Sequence, residues 1–213
     1  TEEIINILRK ANEAARSFGT KIKQVTVSYA DKIQSVEIEN SSGISVRDAR
    51  IRTRFLINVV AQEEEILQTG YETAGRSDLP AGRQGKPFAL EFLTSVNIDK
   101  LSKQAAQRAL LMLGARHAPS GKMPVVIMSE AGGTLIHEAC GHGLEADFIV
   151  KKTSVYFGKI GQKVASNLIT VIDDATIPGN YGSYNFDDEG TSAKKKILIE
   201  NGILKNYMSD IYY

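Results

Sequence analysis

Cysteine occurs once in this chain, as Cys140, so no internal disulfide can form. That single thiol fits a reducing cytoplasm, which is the expected compartment. Long apolar runs are also missing. None approaches the roughly 18 residues that cross a bilayer, which excludes a membrane-spanning helix. The first residues, TEEIINILRKANEAARSF, are acidic before they are basic and contain no secretory apolar stretch. An initiator Met is absent too, so the gene is expected to begin earlier. Charge of either sign is not in excess: 26 basic and 25 acidic residues leave a net charge of +1. Such a balance gives no general pull toward nucleic acid or anionic membrane. The sequence has no G-x-S-x-G, no G-x-x-x-x-G-K-[ST], no internal repeat and no low-complexity tract. Nucleophilic-serine and P-loop chemistries are thereby disfavoured.

What is present is an ordinary globular composition, 42% hydrophobic and 24% charged over 213 residues, enough to bury a proper core. Ile5, Leu8, Ala11 and Ala15 fall near one helical face, and Gly19 is a natural stop. From about 22 to 61, alternation at Val25, Val27 and Tyr29, at Val36 and Ile38, and from Ile44 to Arg50 predicts three or four antiparallel strands, with a turn at Ser41-Ser42-Gly43. The glycine-rich stretch 69–87 reads as a loop with LPAGRQGKP at its tip. A helix is expected over Ile98 to Leu113, capped by Asn97 or Asp99. MPVVIM (123–128) has the pattern of a buried strand, Glu130 to Ile149 that of a third helix, and Asn167 to Asp173 another strand. Asn201-Gly202 between Lys194–Glu200 and Ile203–Ser209 is a strong hairpin signal. The expected class is α+β, antiparallel strands with packed helices, in two parts at 1–120 and 121–213. The end at SDIYY, directly after a strand, suggests that more polypeptide follows.

Chemistry concentrates in GGTLIHEACGHG. Two of the chain's three histidines, His137 and His142, lie here, and Glu138 follows the first. Neutral imidazole is a common zinc ligand, and a carboxylate beside the metal can deprotonate water. The spacing is unusual. Zinc-binding H-E-x-x-H places histidines at i and i+4 on one helical face. Here the second is at i+5, which on an ideal helix sets the two side chains about 140° apart. They share a metal only if the helix bulges or ends near Gly141, and Gly141 and Gly143 offer freedom for either. Cys140 is either a soft ligand or a small buried residue. Glu145 and Asp147 are ligands, supporting carboxylates, or members of a solvated face. His117 reads as a surface residue. The acidic run in GNYGSYNFDDEGT (179–191) is a hard-cation site, a rigid self-bonded loop, or the lining of a cleft.

GGTLIHEACGHGLEADF, with GSYNFDDEGT (182–191) and LIENGIL (198–204) in the same order, resembles the TldD/PmbA metallopeptidases, specifically the TldD-like branch with H-E-x-x-x-H. The resemblance implies that His137 and His142 are zinc ligands and that Glu138 is the general base. It implies that a third ligand, a cysteine, lies outside this chain, which corresponds to about the first half of a family member. Residues 121–213 would then be the start of the metallopeptidase core. The implied reaction is hydrolysis of small or unfolded peptides by a water activated at zinc. The implied partner is a second copy or a PmbA/TldE-like subunit, with no direct nucleic acid and no membrane. Substrate backbone could add as a strand along 167–173 or 194–209. The alternative is a non-catalytic regulatory subunit, the sense of the older family label of DNA gyrase modulator.

Overall fold

The structure, a computed structural model, describes residues 2–78 and 89–213. Its class is α+β. The chain divides into two compact units. The first comprises 1–37, 47–119 and 177–183; the second comprises 38–46, 120–176 and 184–213.

The first unit begins with helix α1, Glu2–Arg16. Ala11 and Ala15 are buried and Ile4, Ile7 and Leu8 pack on the core, whereas Ile5 turns outward at 49% exposure. Three long antiparallel strands follow in the order β1 (Ile22–Glu39), β2 (Ser45–Glu63), β3 (Ile66–Asp78). On β2 the residues Ile51, Thr53, Phe55, Ile57, Val59 and Ala61 are all fully buried, the period-2 signature of a strand with one face on the core. The β2–β3 turn is only Glu64-Glu65, with Glu64 at φ 52°.

β3 overturns the expectation of a loop from 69 to 78; the tip LPAGRQGKP lies outside the described residues. The glycines that suggested a loop mark places where other groups approach the strand closely. A Cβ on Gly70 would stand 2.2 Å from the Ala105 carbonyl oxygen and 2.5 Å from the Ala109 nitrogen. A Cβ on Gly75 would stand 2.9 Å from the Tyr181 ring. The helix over Gly70 is α3, Ile98–Leu113, which presents Ser102, Ala105, Ala106 and Ala109 as a buried face. A short helix α2, Ala89–Ser95, precedes it and adds Phe92 and Leu93 to the core. The Asn97 side chain accepts a hydrogen bond from Lys100 N at 2.9 Å and caps α3. Asn97→Ala will therefore cost about 1 kcal/mol of stability, measurable by denaturant unfolding. No change would mean that the cap is redundant.

The second unit contains a small antiparallel sheet, β4 (Val171–Asp174), β5 (Lys195–Glu200) and β6 (Ile203–Leu204). The hairpin turns at Asn201-Gly202 (φ 48° and 80°), as the sequence predicts. Its second strand is only two residues long, because the regular ladder then breaks: Lys205 N and Asn206 N both donate to Leu198 O, at 2.8 and 3.3 Å, so that two residues oppose one. MPVVIM does not form the expected strand. Strand structure requires a hydrogen-bonded neighbour, none is present among the described residues, and Val126 stays 94% exposed. The core of this unit is Cys140, Leu144, Leu198, Ile199 and Leu204, packed by Tyr156, Val171, Tyr207 and Met208.

Candidate metal centre

The expected single helix from 130 to 149 is four short pieces. Helix α4, Ser129–Ile136, passes into a π-turn over His137–Gly141, then a 3₁₀ turn over His142–Leu144, and then helix α5, Ala146–Val150. The π-turn is closed by the His142 backbone N–H donating to the His137 carbonyl. An i→i+5 bond stacks residues five apart, as the i→i+4 bond of an α-helix stacks residues four apart. The extra residue in H-E-x-x-x-H is absorbed in this way, and the two imidazoles meet at 4.6 Å between ring centroids, inclined by 71°.

Gly141 is less important to this bend than its position suggests. Its φ of −54° and ψ of −61° are ordinary helical values, and a Cβ there would lie no closer than 3.9 Å to any neighbour. Gly143 is the constrained one. A Cβ on it would stand 2.9 and 3.0 Å from two ring carbons of Tyr156. The helical course ends at Glu145, which is extended at φ −67°, ψ 133°. Met208 grips both sides of that residue: its N–H donates to Leu144 O and its carbonyl accepts from Ala146 N, each at 2.8 Å.

Ligand atoms of His137, Glu138 and His142 all lie within 4.8 Å of one another, and all three side chains are exposed. Glu138 Oε2 is 3.7 Å from His142 Nε2, too long for a hydrogen bond. On the other side of the ring, His142 Nδ1 is 2.7 Å from Glu145 Oε1. Two imidazoles and a carboxylate are a donor set suited to zinc. It is an incomplete one, since zinc takes at least three protein ligands and Glu138 as base would not be one of them. It is the only such group of three among the described residues.

The other candidates fall elsewhere. Cys140 is buried in the core, away from the histidine rings. Burial, with the Cys140 thiol beside it, pushes the Tyr156 hydroxyl up to about 12. Asp147 binds Lys151 at 3.0 Å, and that hydrogen bond holds its carboxyl below the usual range. His117 is exposed in an irregular segment. The acidic run is a self-bonded loop: Asp187 Oδ1 accepts from both Glu189 N and Thr191 N at 2.9 Å. Gly190 sits at its end at φ 83°, where a Cβ would be 2.6 Å from the Ile44 side chain. The grip of Met208 on Glu145 is the feature that sequence reasoning missed, since nothing local signals a backbone pairing so distant in the chain.

Residues 1–113 match the family model of the PmbA/TldA metallopeptidase central domain, and residues 120–213 match that of its C-terminal domain. A metalloprotease TldD homolog of Buchnera aphidicola is 41% identical over 99% of this chain, which spans 43% of that relative. A zinc metalloprotease TldD homolog of Saccharolobus solfataricus is 27% identical over the whole chain, which spans 45% of it. Among solved structures, a Thermotoga maritima protein described as a modulator of DNA gyrase superposes with a TM-score of 0.78 at 24% identity, covering 99% of this chain and 46% of its own. The chain thus spans a little under half the length of these relatives. No helix among the described residues is long and apolar enough to cross a membrane. With both of its halves matched by models of one family, and with the histidine turn in the second, the chain belongs to the PmbA/TldA metallopeptidases.

Proposed function

We propose that the full-length protein is a zinc-dependent peptidase, with His137 and His142 as two zinc ligands and Glu138 as general base. One observation carries this reading: the π-turn that stacks His137 on His142 with the Glu138 carboxylate beside them. When bound, zinc supplies a Lewis acid that polarises the scissile carbonyl and brings the pKa of water near 7. Glu138 is exposed and has no hydrogen bond at 3.7 Å from its neighbour, so its carboxylate is free to accept the proton of the attacking water. The same carboxyl then returns that proton to the leaving amine nitrogen. His137 and His142 each bring a ligand atom within 4.8 Å of the other and of Glu138, and so fix where the reaction takes place.

A third ligand, a cysteine, comes from outside this chain. Residues 121–213 form the start of the catalytic core, 1–120 a separate domain ahead of it, and the protein works in the cytoplasm. The substrates are small or unfolded peptides, and the assembly is a homodimer or a heterodimer with a PmbA/TldE-like subunit. The near-neutral charge supports the absence of direct nucleic-acid binding.

Elemental analysis of the full-length protein tests the metal assignment. Close to one zinc per chain is expected, lost in His142→Ala and in His137→Ala. A zinc-free intact protein would instead favour a non-catalytic regulatory subunit, as the name of the Thermotoga maritima neighbour suggests.

A further inference from the structure

We infer that Glu145 is a positioning residue for His142: its carboxylate holds the ring so that Nδ1 carries the proton and Nε2 presents a lone pair toward Glu138 and His137. The inference rests on the metal-site reading above. Its evidence is separate from the H-E-x-x-x-H motif, because Glu145 lies beyond it.

The geometry is specific. Glu145 Oε1 stands 2.7 Å from His142 Nδ1. An ionised carboxylate can only accept, so the hydrogen lies on Nδ1. In a neutral imidazole this leaves Nε2 without a proton, which is the form that binds a metal. The other face of the ring agrees. Nε2 is the nitrogen that faces Glu138, at 3.7 Å from Oε2, while Nδ1 faces Glu145.

The carboxylate is itself held from behind. Glu145 interrupts the helical course with extended backbone angles, and Leu144, just before it, is fully buried. Met208 bonds to the carbonyl on one side of Glu145 and the N–H on the other. Its side chain therefore departs from a pinned backbone. Asp147, the other acid of this segment, is bonded to Lys151 and does not compete for the ring.

The test uses the full-length protein and two readouts. In metal-free protein with ¹⁵N-labelled histidine, the His142 signal, identified by its loss in His142→Ala, should report proton occupancy at Nδ1. Glu145→Ala should shift that signal toward the Nε2-protonated form, while Glu145→Gln, which keeps an acceptor oxygen, should retain the wild-type pattern. In zinc titrations against a competing chelator, Glu145→Ala should bind about 10–100-fold more weakly than wild type. Glu145→Gln should recover part of that loss. A His142 signal unmoved by Glu145→Ala, or zinc affinity within twofold of wild type, would overturn the inference. If His142→Ala also left zinc binding intact, the metal-site reading would be the one that failed. The NMR arm is independent of that outcome, since it contains no metal.

Discussion

Glu138→Gln in the full-length protein should lower the rate of the proposed peptide hydrolysis by about 10²–10⁴-fold, the range expected for loss of a general base. That corresponds to roughly 3–5 kcal/mol in the barrier. Glutamine keeps the shape and the oxygen of the side chain and removes its capacity to take a proton. The fold should not register the change. Glu138 is exposed, and its nearest charged neighbour, His142 Nε2 at 3.7 Å, is beyond hydrogen-bond distance. Zinc content should also persist, because the imidazoles of His137 and His142 remain. The informative measurement pairs kcat with elemental zinc. Low kcat at full zinc assigns the proton transfer to Glu138. A kcat within threefold of wild type would move that role to another group, and zinc lost along with activity would make Glu138 a ligand.

Gly70→Ala carries the largest expected effect on stability. The added carbon would stand 2.2 Å from the Ala105 carbonyl oxygen and 2.5 Å from the Ala109 nitrogen, both of them backbone atoms of α3. No side-chain rotation relieves a contact with backbone, so the helix itself must lift from the strand. Overpacking of this kind costs about 1–3 kcal/mol and occasionally more, and a backbone clash belongs at the upper end. Gly132→Ala serves as the control. Its Cβ would meet the Ile127 side chain at 3.8 Å, an ordinary contact, and alanine is favoured over glycine inside a helix by about 0.5–1 kcal/mol. Urea unfolding of the two variants should therefore move in opposite directions. Equal midpoints would show that α3 does not press on β3 as closely as described.

The glycines of β3 also show which parts of the molecule were legible in its sequence. Local rules worked where local bonds decide the structure. Asn201-Gly202 turned the hairpin, Asn97 capped α3, and the i+5 spacing of His137 and His142 required the helix to bulge or end, of which the π-turn provides the bulge. They failed where a distant partner decides. Gly70 and Gly75 look like loop residues until α3 and Tyr181 are placed against them. MPVVIM has every local property of a strand and lacks only a neighbour to pair with. Helix α2 was too short, at seven residues, for its periodicity to be read. Within the site, the residue types were readable and their connections were not. Glu145 was recognisable as a nearby carboxylate, but the ring nitrogen it meets depends on backbone angles that Met208 helps to set.

The hold of Met208 on Leu144 and Ala146 has a consequence in time. During synthesis the histidines leave the ribosome well before Met208 does, since chains emerge from the N-terminus at about 5–20 residues per second. Until the 195–208 stretch has emerged and folded back, the two Met208 hydrogen bonds that flank Glu145 cannot form. A nascent chain therefore carries the locally closed histidine turn before it has the distant backbone pairing that flanks Glu145.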